Sequence, residues 1–269
     1  MTAQRLTAEM RKNMDYHKVI ELVKETDKIV NRPIDSQNIH IKGRADFVTD
    51  RDIEVQEFIK NGLSELYPDI SFMGEETGYF DISDKPIWIL DPIDGTMNFI
   101  KDYRQSACSL ALYDGKEIVF GVIYQFFTQE LFSAVKGKGA FLNGSPIHVS
   151  KVERLHDALV STGTSPYYKE LAQESFRLFC EIFEKCNDIR RIGSAAIDLA
   201  NVACGRQDAY LERNLKAWDC AAGILLVEEA GGCVCSYDGS PLKLGFQMNI
   251  LAAGNVSLKE ELLELTDQR

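Results

Sequence analysis

The chain predicts a layered α+β and α/β fold, an antiparallel sheet half followed by an α/β half. Three observations carry that prediction. Apolar residues recur at helical spacing through the first 66 residues. Between residues 106 and 149 the pattern turns to β, punctuated by the tight-turn dipeptides Asp114-Gly115 and Asn143-Gly144. Beyond residue 149, short apolar runs alternate with helical stretches, as in α/β units.

Residues 6–30 read as one long helix, with Met10, Met14, Ile20, Val23 and Val30 among its apolar positions, stopped by Asn31-Arg32-Pro33. A polar loop follows through Asp35, Ser36 and Gln37. Thr49 reads as an N-cap, with Asp52 three residues on as its capping-box partner. The helix it opens aligns Val55, Ile59, Leu63 and Leu66 and ends near Pro68. Residues 70–73 and 87–90 are short apolar strands. Strands 106–113 and 117–124 flank Asp114-Gly115, and 130–135 and 140–142 continue the meander. Then come strand 158–162, helix 171–185, strand 189–192, helix 195–204, strand 209–211 and helix 220–230. Strands at Val234 and 249–253 and a helix at 258–265 complete the chain. Asp219, just before helix 220–230, reads as its N-cap. The change of character sets a boundary near residue 150, between halves 1–150 and 151–269. No low-complexity linker separates them, so one compact unit with a large shared interface is expected.

The 269 residues include no apolar run near the roughly 20 that a membrane helix requires. Residues 1–12 are polar and lack the apolar centre of a signal peptide. Seven cysteines, an odd and scattered number, fit reduced thiols. These features point to the cytoplasm. Cys233 and Cys235 read as small apolar residues on one face of a strand. A net charge of −11 and the lack of a Lys/Arg run argue against a nucleic-acid partner. The same acidity repels an anionic substrate unless bound cations reverse the local sign.

The most telling stretch is Trp88-Ile89-Leu90-Asp91-Pro92-Ile93-Asp94-Gly95-Thr96. An apolar run delivers two carboxylates into a Pro/Gly turn, where they need a cation or a donor. On one side of a tight turn, Asp91 and Asp94 would share a hard cation. Gly95 permits the bend, and the neighbouring N–H groups with the Thr96 hydroxyl would face an anion. Acidic groups also end elements at 46–52, Gly74-Glu75-Glu76, Glu212 and Trp218-Asp219. His17, His40, His148 and His156 show no metal-ligand spacing and read as surface or strand-end residues. Lys136-Gly137-Lys138-Gly139 lacks the strand–loop–helix context of a phosphate loop and reads as a hairpin turn.

Gly74-Glu75-Glu76, the segment from Trp88 through Thr96 to Met97-Asn98-Phe99, Ala217-Trp218-Asp219 and Glu229-Ala230-Gly231-Gly232 together resemble the inositol monophosphatase family, a group of lithium-sensitive, magnesium-dependent phosphatases. Lys42, Asp46, Val48, Thr49 and Asp52 match its early motif. The resemblance implies a layered αβαβα sandwich, a homodimer and two or three Mg²⁺ ions per site. It implies Glu75, Asp91 and the Ile93 carbonyl as ligands of one ion, and Asp91, Asp94 and Asp219 as ligands of a second. Glu75 also helps hold a third through water. Asp52, Thr96 and Glu75 match the groups that support the attacking water. Gly95 and Thr96 N–H groups match the phosphate contacts. Gly193, Ser194, Ala195 and Glu212, with Asp94 and Asp219, match the substrate-contacting region, and Lys42 matches a lysine near the mouth. Met97 stands where Thr is frequent, and Cys220 where Val or Ala is frequent. The implied function is Mg²⁺-dependent hydrolysis of inositol 1-phosphate or a similar small polyol or sugar phosphate. Fructose 1,6-bisphosphate, 3′-phosphoadenosine 5′-phosphate, NADP(H) and histidinol phosphate are alternative substrates, and a metal-binding regulatory protein is the non-enzymatic alternative.

Overall fold

A computed structural model describes residues 14–32, 39–43, 46–78 and 82–266; the side chains at 41, 42 and 46 lie outside the description. The elements stack in five layers. The first is helical: α1 (Tyr16–Lys24), α2 (Asp27–Val30) and α3 (Asp50–Leu66). The expected unbroken helix over 6–30 is interrupted here, because the buried Thr26 hydroxyl donates to the Val23 carbonyl (2.6 Å) and competes with the helical ladder. Residues 6–13 of that expectation, and the loop at Asp35, Ser36 and Gln37, lie outside the described residues.

The second layer is a seven-stranded sheet in sequence order. It runs β3 (Ser71–Gly74), β4 (Ile87–Asp94), β5 (Ala107–Tyr113), β6 (Ile118–Gln125), β7 (Glu130–Val135), β8 (Ala140–Leu142) and β9 (Ser145–Ile147). Only the β3–β4 pairing in it is parallel. A small hairpin, β1 (Ile39–Gly43) and β2 (Asp46–Thr49), precedes α3. The short helix α4 (Thr96–Ile100) follows β4.

The third layer pairs α6 (Ala195–Ala203) with α7 (Ala217–Glu229). The fourth is a five-stranded mixed sheet in the order β11 (Asp188–Arg190), β10 (Leu159–Thr162), β12 (Ala209–Leu215), β14 (Met248–Ala253), β13 (Cys233–Ser236). The fifth pairs α5 (Ala172–Phe183) with α8 (Val256–Thr266).

Strand alternation decides which layer each side chain joins. On β4, Trp88 and Leu90 turn to Val19, Val55 and Ile59 of the first layer, while Ile87 and Ile89 turn to α6 and α7. On β12 and β14, Tyr210, Ile250 and Ala252 face the same middle helices, and Ala209, Leu211, Leu251 and Ala253 face α5 and α8. The middle helices therefore meet apolar surface on two sides. In α7 every residue from Ala217 to Val227 except Asp219 is buried, as expected of a helix that is apolar all round. The hairpin turn at 136–139 does bind an anion, but an internal one: the Gly137 and Gly139 N–H groups both donate to the Glu229 carboxylate at 2.9 Å.

Candidate active site

The strand β4 runs further than its apolar residues suggest. It continues through Asp94, with all eight residues buried, so Asp91 and Asp94 sit on a strand end and not in a turn. Their common orientation has a different origin. Against β5, Asp91 pairs with Ser109 and Asp94 with Ala107. Three residues thus span the distance of two, which is a β-bulge. Residues three apart on a regular strand face opposite sides; the extra residue returns Asp94 to the side of Asp91, toward the middle helices. Pro92 supplies no N–H to the ladder, and the Ile93 N–H turns to Asp91 Oδ1 (3.1 Å).

Gly95 then makes the sharp exit, at φ 84° and ψ 41°, a left-handed conformation that glycine adopts without penalty. A Cβ there would lie 2.8 Å from the Gln105 carbonyl oxygen and 3.2 Å from that of Gly193. The same loop is drawn in by Asn98, whose amide lies within 2.8 Å of the Gln105 carbonyl, 3.0 Å of Ile192 and 3.3 Å of Gly193.

Four further elements bring their ends to this point. The register Gly74↔Leu90 between β3 and β4 places Glu75 beside Asp91. In α3, the capping box forms as the sequence predicts. Asp52 Oδ2 accepts from the Thr49 N–H (2.7 Å) and hydroxyl (2.6 Å). The Thr96 hydroxyl lies 3.1 Å from the Ile93 carbonyl and 3.5 Å from Asp52 Oδ1. At the start of α6, the N-cap Ser194 accepts from the Ile197 N–H (3.2 Å) and donates to Asp94 Oδ2, which also accepts from the Ala196 N–H (2.8 Å). In α7, Asp219 is not the N-cap: Lys216 is, the helix starts at Ala217, and Asp219 reaches back from the third position to the Lys216 N–H (2.7 Å). An Asp serves either position by the same hydrogen-bonding logic, which is why the sequence pointed to the wrong one.

These ends enclose a cavity of about 190 Å³. Glu75, Asp91, Ile93, Asp94, Gly95, Thr96, Gly193, Ala195, Glu212 and Asp219 all line it. Asp52 stands behind Thr96, and Ser194 behind Asp94. The Lys42 side chain lies outside the described residues. Sequence reasoning gave no role to Asn98, nor to Tyr210 and Ser165, whose hydroxyl and N–H both donate to the buried Glu212 carboxylate. It also missed Gly163, where a Cβ would overlap that carboxylate at 1.8 Å, and Tyr167 and Arg191 on the cavity wall. None carries a local pattern; each is defined by a fold-level approach.

The cavity concentrates negative charge. Burial, then repulsion from Glu75, Asp94 and Asp219, raises the Asp91 carboxyl well above the usual carboxylate range. Burial lifts Asp94 to about 6, against the pull of Ser194 and Ala196. Burial and the nearby Asp94 lift Asp219 to about 7, with Lys216 opposing. Asp52 reaches about 6, chiefly through burial. Among the described residues, no three Asp, Glu, His or Cys side chains are already drawn into a metal-holding cluster. The repelling carboxylates are each tied to their own donors, Asp91 through Oδ1 and Asp94 and Asp219 through Oδ2. The donor set is nonetheless suited to a hard cation. It is all oxygen, and neither Cys108 nor Cys220 is among the described residues that line the cavity.

The sequence matches the inositol monophosphatase family over residues 9–269. An inositol-1-monophosphatase of Synechocystis sp. is 41% identical over 84% of this chain and 79% of its own length. The Nus factor SuhB of Xylella fastidiosa is 37% identical over 85% of each chain. The crystal structure of extragenic suppressor protein suhB from Bartonella henselae superposes with a TM-score of 0.85 at 34% identity, covering 94% of this chain and 98% of that one. The chain belongs to the inositol monophosphatase family. Its layered fold is that family's, and its class is phosphatase.

Proposed function

We propose that the protein is a Mg²⁺-dependent phosphomonoesterase that hydrolyses inositol 1-phosphate or a similar small polyol phosphate by attack of water. The observation that carries this reading is the convergence of Glu75, Asp91, Asp94, Asp219 and Glu212 on one small cavity, beside the turn at Gly95 and Thr96. Glu75, Asp91, the Ile93 carbonyl, Asp94 and Asp219 would hold two or three Mg²⁺ ions. When bound, these supply positive charge for the phosphate and acidify water.

The chain's own groups do the rest. Glu75 and Thr96 receive and pass on the proton of the attacking water. The Thr96 hydroxyl has one hydrogen, which it donates to Ile93 or Asp52, leaving its lone pairs to accept from that water. Asp52, fixed by Thr49, orients Thr96. The Gly95 and Thr96 N–H groups, at the start of α4, receive the phosphate oxygens. Gly193, Ser194 and Ala195, together with Asp94, Asp219 and Glu212, address the alcohol, with Lys42 near the mouth. Glu212 accepts hydrogen bonds from hydroxyls, which favours a polyol.

Several further properties belong to the same proposal. The site lies between the two halves, 1–150 and 151–269. The protein forms a homodimer, and Li⁺ inhibits by competing with Mg²⁺. All seven cysteines are free thiols, which supports a reducing, cytoplasmic compartment. The relative named Nus factor SuhB favours one second reading, an interaction protein on the same scaffold.

A panel of phosphomonoesters, with and without Mg²⁺, tests the proposal. The highest kcat/KM is expected for inositol 1-phosphate, with loss of turnover in Asp94→Asn at unchanged folding. Preference for fructose 1,6-bisphosphate, 3′-phosphoadenosine 5′-phosphate, NADP(H) or histidinol phosphate would replace the substrate. No release from any ester would leave the interaction reading.

A further inference from the structure

Resting on the phosphatase reading, we propose that Tyr167 is a specificity-determining residue: its ring is a wall on which the C–H face of a cyclic polyol or sugar phosphate stacks.

The ring lines the same cavity as Asp91, Asp94 and Asp219, yet 45% of the residue remains exposed. It therefore stands at the mouth and not in the core. It is also fixed. The Lys216 ammonium lies over it at 5.3 Å from the ring centroid, and the same ammonium is 5.3 Å from Trp218 and 5.6 Å from Phe246. One cation thus joins three rings. Trp218 is buried, so the clamp ties an exposed ring to the rigid first turn of α7.

The backbone beneath Tyr167 is held as firmly. The Ser165 N–H donates to Glu212 Oε1 (2.9 Å), the Ser165 hydroxyl donates to the Arg213 carbonyl (2.6 Å), and the Tyr168 N–H closes back on the Ser165 carbonyl (2.9 Å). Pro166 fixes φ between them. The turn that carries Tyr167 is therefore fastened to Glu212 of β12, which sets the separation of the two. The carboxylate accepts from the hydroxyls at the edge of a ring, while the electron-rich face of Tyr167 meets its polarised C–H bonds. A cyclic polyol offers both surfaces together. An acyclic ester satisfies the carboxylate but presents no comparable face to the ring.

The test compares myo-inositol 1-phosphate with glycerol 1-phosphate in the wild type, Tyr167→Ala and Tyr167→Phe, each with Mg²⁺. Removing the ring is expected to raise KM for the cyclic ester about five- to tenfold, equivalent to about 1–1.4 kcal/mol, at unchanged kcat. KM for glycerol 1-phosphate stays within about twofold, and Tyr167→Phe behaves as wild type on both. Equal loss on the two esters, or no loss, overturns the stacking role while leaving the phosphatase reading in place. A wild type that hydrolyses neither ester overturns the polyol-phosphate reading of the substrate instead. The stacking role is then decided by saturation-transfer NMR with myo-inositol and glycerol. Transfer to inositol C–H protons that disappears in Tyr167→Ala supports it, and transfer unchanged in that variant overturns it.

Discussion

Gly95→Ala should damage both stability and turnover, and a second glycine separates the causes. Two effects act at residue 95. An L-residue at φ 84° pays the left-handed penalty, about 1–2 kcal/mol. The new methyl also meets the Gln105 carbonyl at 2.8 Å, the Gly193 carbonyl at 3.2 Å and Ser194 Cβ at 3.3 Å. The two carbonyls cannot simply withdraw, because Asn98 binds both. Overpacking of this kind adds ~1–3 kcal/mol. Gly144 has a similar φ of 79° but open space around its would-be Cβ, so Gly144→Ala reports the backbone penalty alone. For a chain of this size each kcal/mol moves Tm by roughly 2 °C. Calorimetric scans should therefore show a fall of about 2–4 °C for Gly144→Ala and about 4–10 °C for Gly95→Ala. Only the latter should lose activity, ~100-fold in kcat/KM, because a displaced turn misaims the 95 and 96 N–H groups. Equal Tm shifts in the two variants, or near-normal turnover in Gly95→Ala, would refute the reasoning.

Thr49→Ala removes the α3 cap and the hydroxyl, one of the two donors that fix Asp52, while the residue 49 N–H stays; about 1–2 kcal/mol of stability and a larger share of kcat should go, and Thr49→Ser restores both in parallel denaturation and kinetic measurements. Asp198 is buried against Ser161 and Gln207, and burial lifts its carboxyl to about 8. The native state then holds a proton that the unfolded state gives up near pH 4, so this contribution is complete below pH 4 and is lost as pH rises through 8. Asp198→Asn should flatten stability across that window and gain ~1–3 kcal/mol at pH 8; an unchanged pH slope would count against the assignment. Mg²⁺ at about a hundred times its Kd should add ~2.7 kcal/mol to stability, visible as a rise in Tm that chelation reverses and Asp94→Asn diminishes.

The elements were legible wherever a side chain's job is decided by its neighbours in sequence. The Thr49 capping box and strands 130–135 and 140–142 fall where the pattern placed them, because caps and alternation are local. The two misjudged strand ends share one cause. β4 looked four residues shorter because its last four include two carboxylates and a proline, residues a strand tolerates only at a bulge. β12 likewise ran past Leu211 through Glu212 to Leu215, again across a register shift. In both cases the polar residue that seemed to end the strand is the one the cavity uses.

That coincidence has a physical reason. A carboxylate inside a regular sheet must be met by donors from another element, because its own strand's N–H groups are engaged in the ladder; only a bulge frees one, as at Ile93 for Asp91. Asp94 meets Ser194 and Ala196 of α6 a hundred residues away, Glu212 meets Ser165, and Asn98 meets the carbonyls at 192 and 193. The bonds of Asp94 and Asn98 join the seven-stranded half of the molecule to the five-stranded half, and that of Glu212 fastens the loop after β10 to β12 within the latter. Asp94 is thus part of the fastening between the two sheets, and burial is what raises the pKa values of the acidic groups around it and sets up the demand for a cation. Removing one carboxylate at a time should therefore have two separable effects. Asp94→Asn, which can still accept from Ser194 and Ala196, should keep the fold and lose the charge. Asp94→Ala should lose both, with the difference between the two variants, ~1–3 kcal/mol in denaturant unfolding, reporting the lost hydrogen bonds together with the space left behind. Equal stability in the two would mean that α6 is held by packing and that the link between fastening and catalysis drawn here is false.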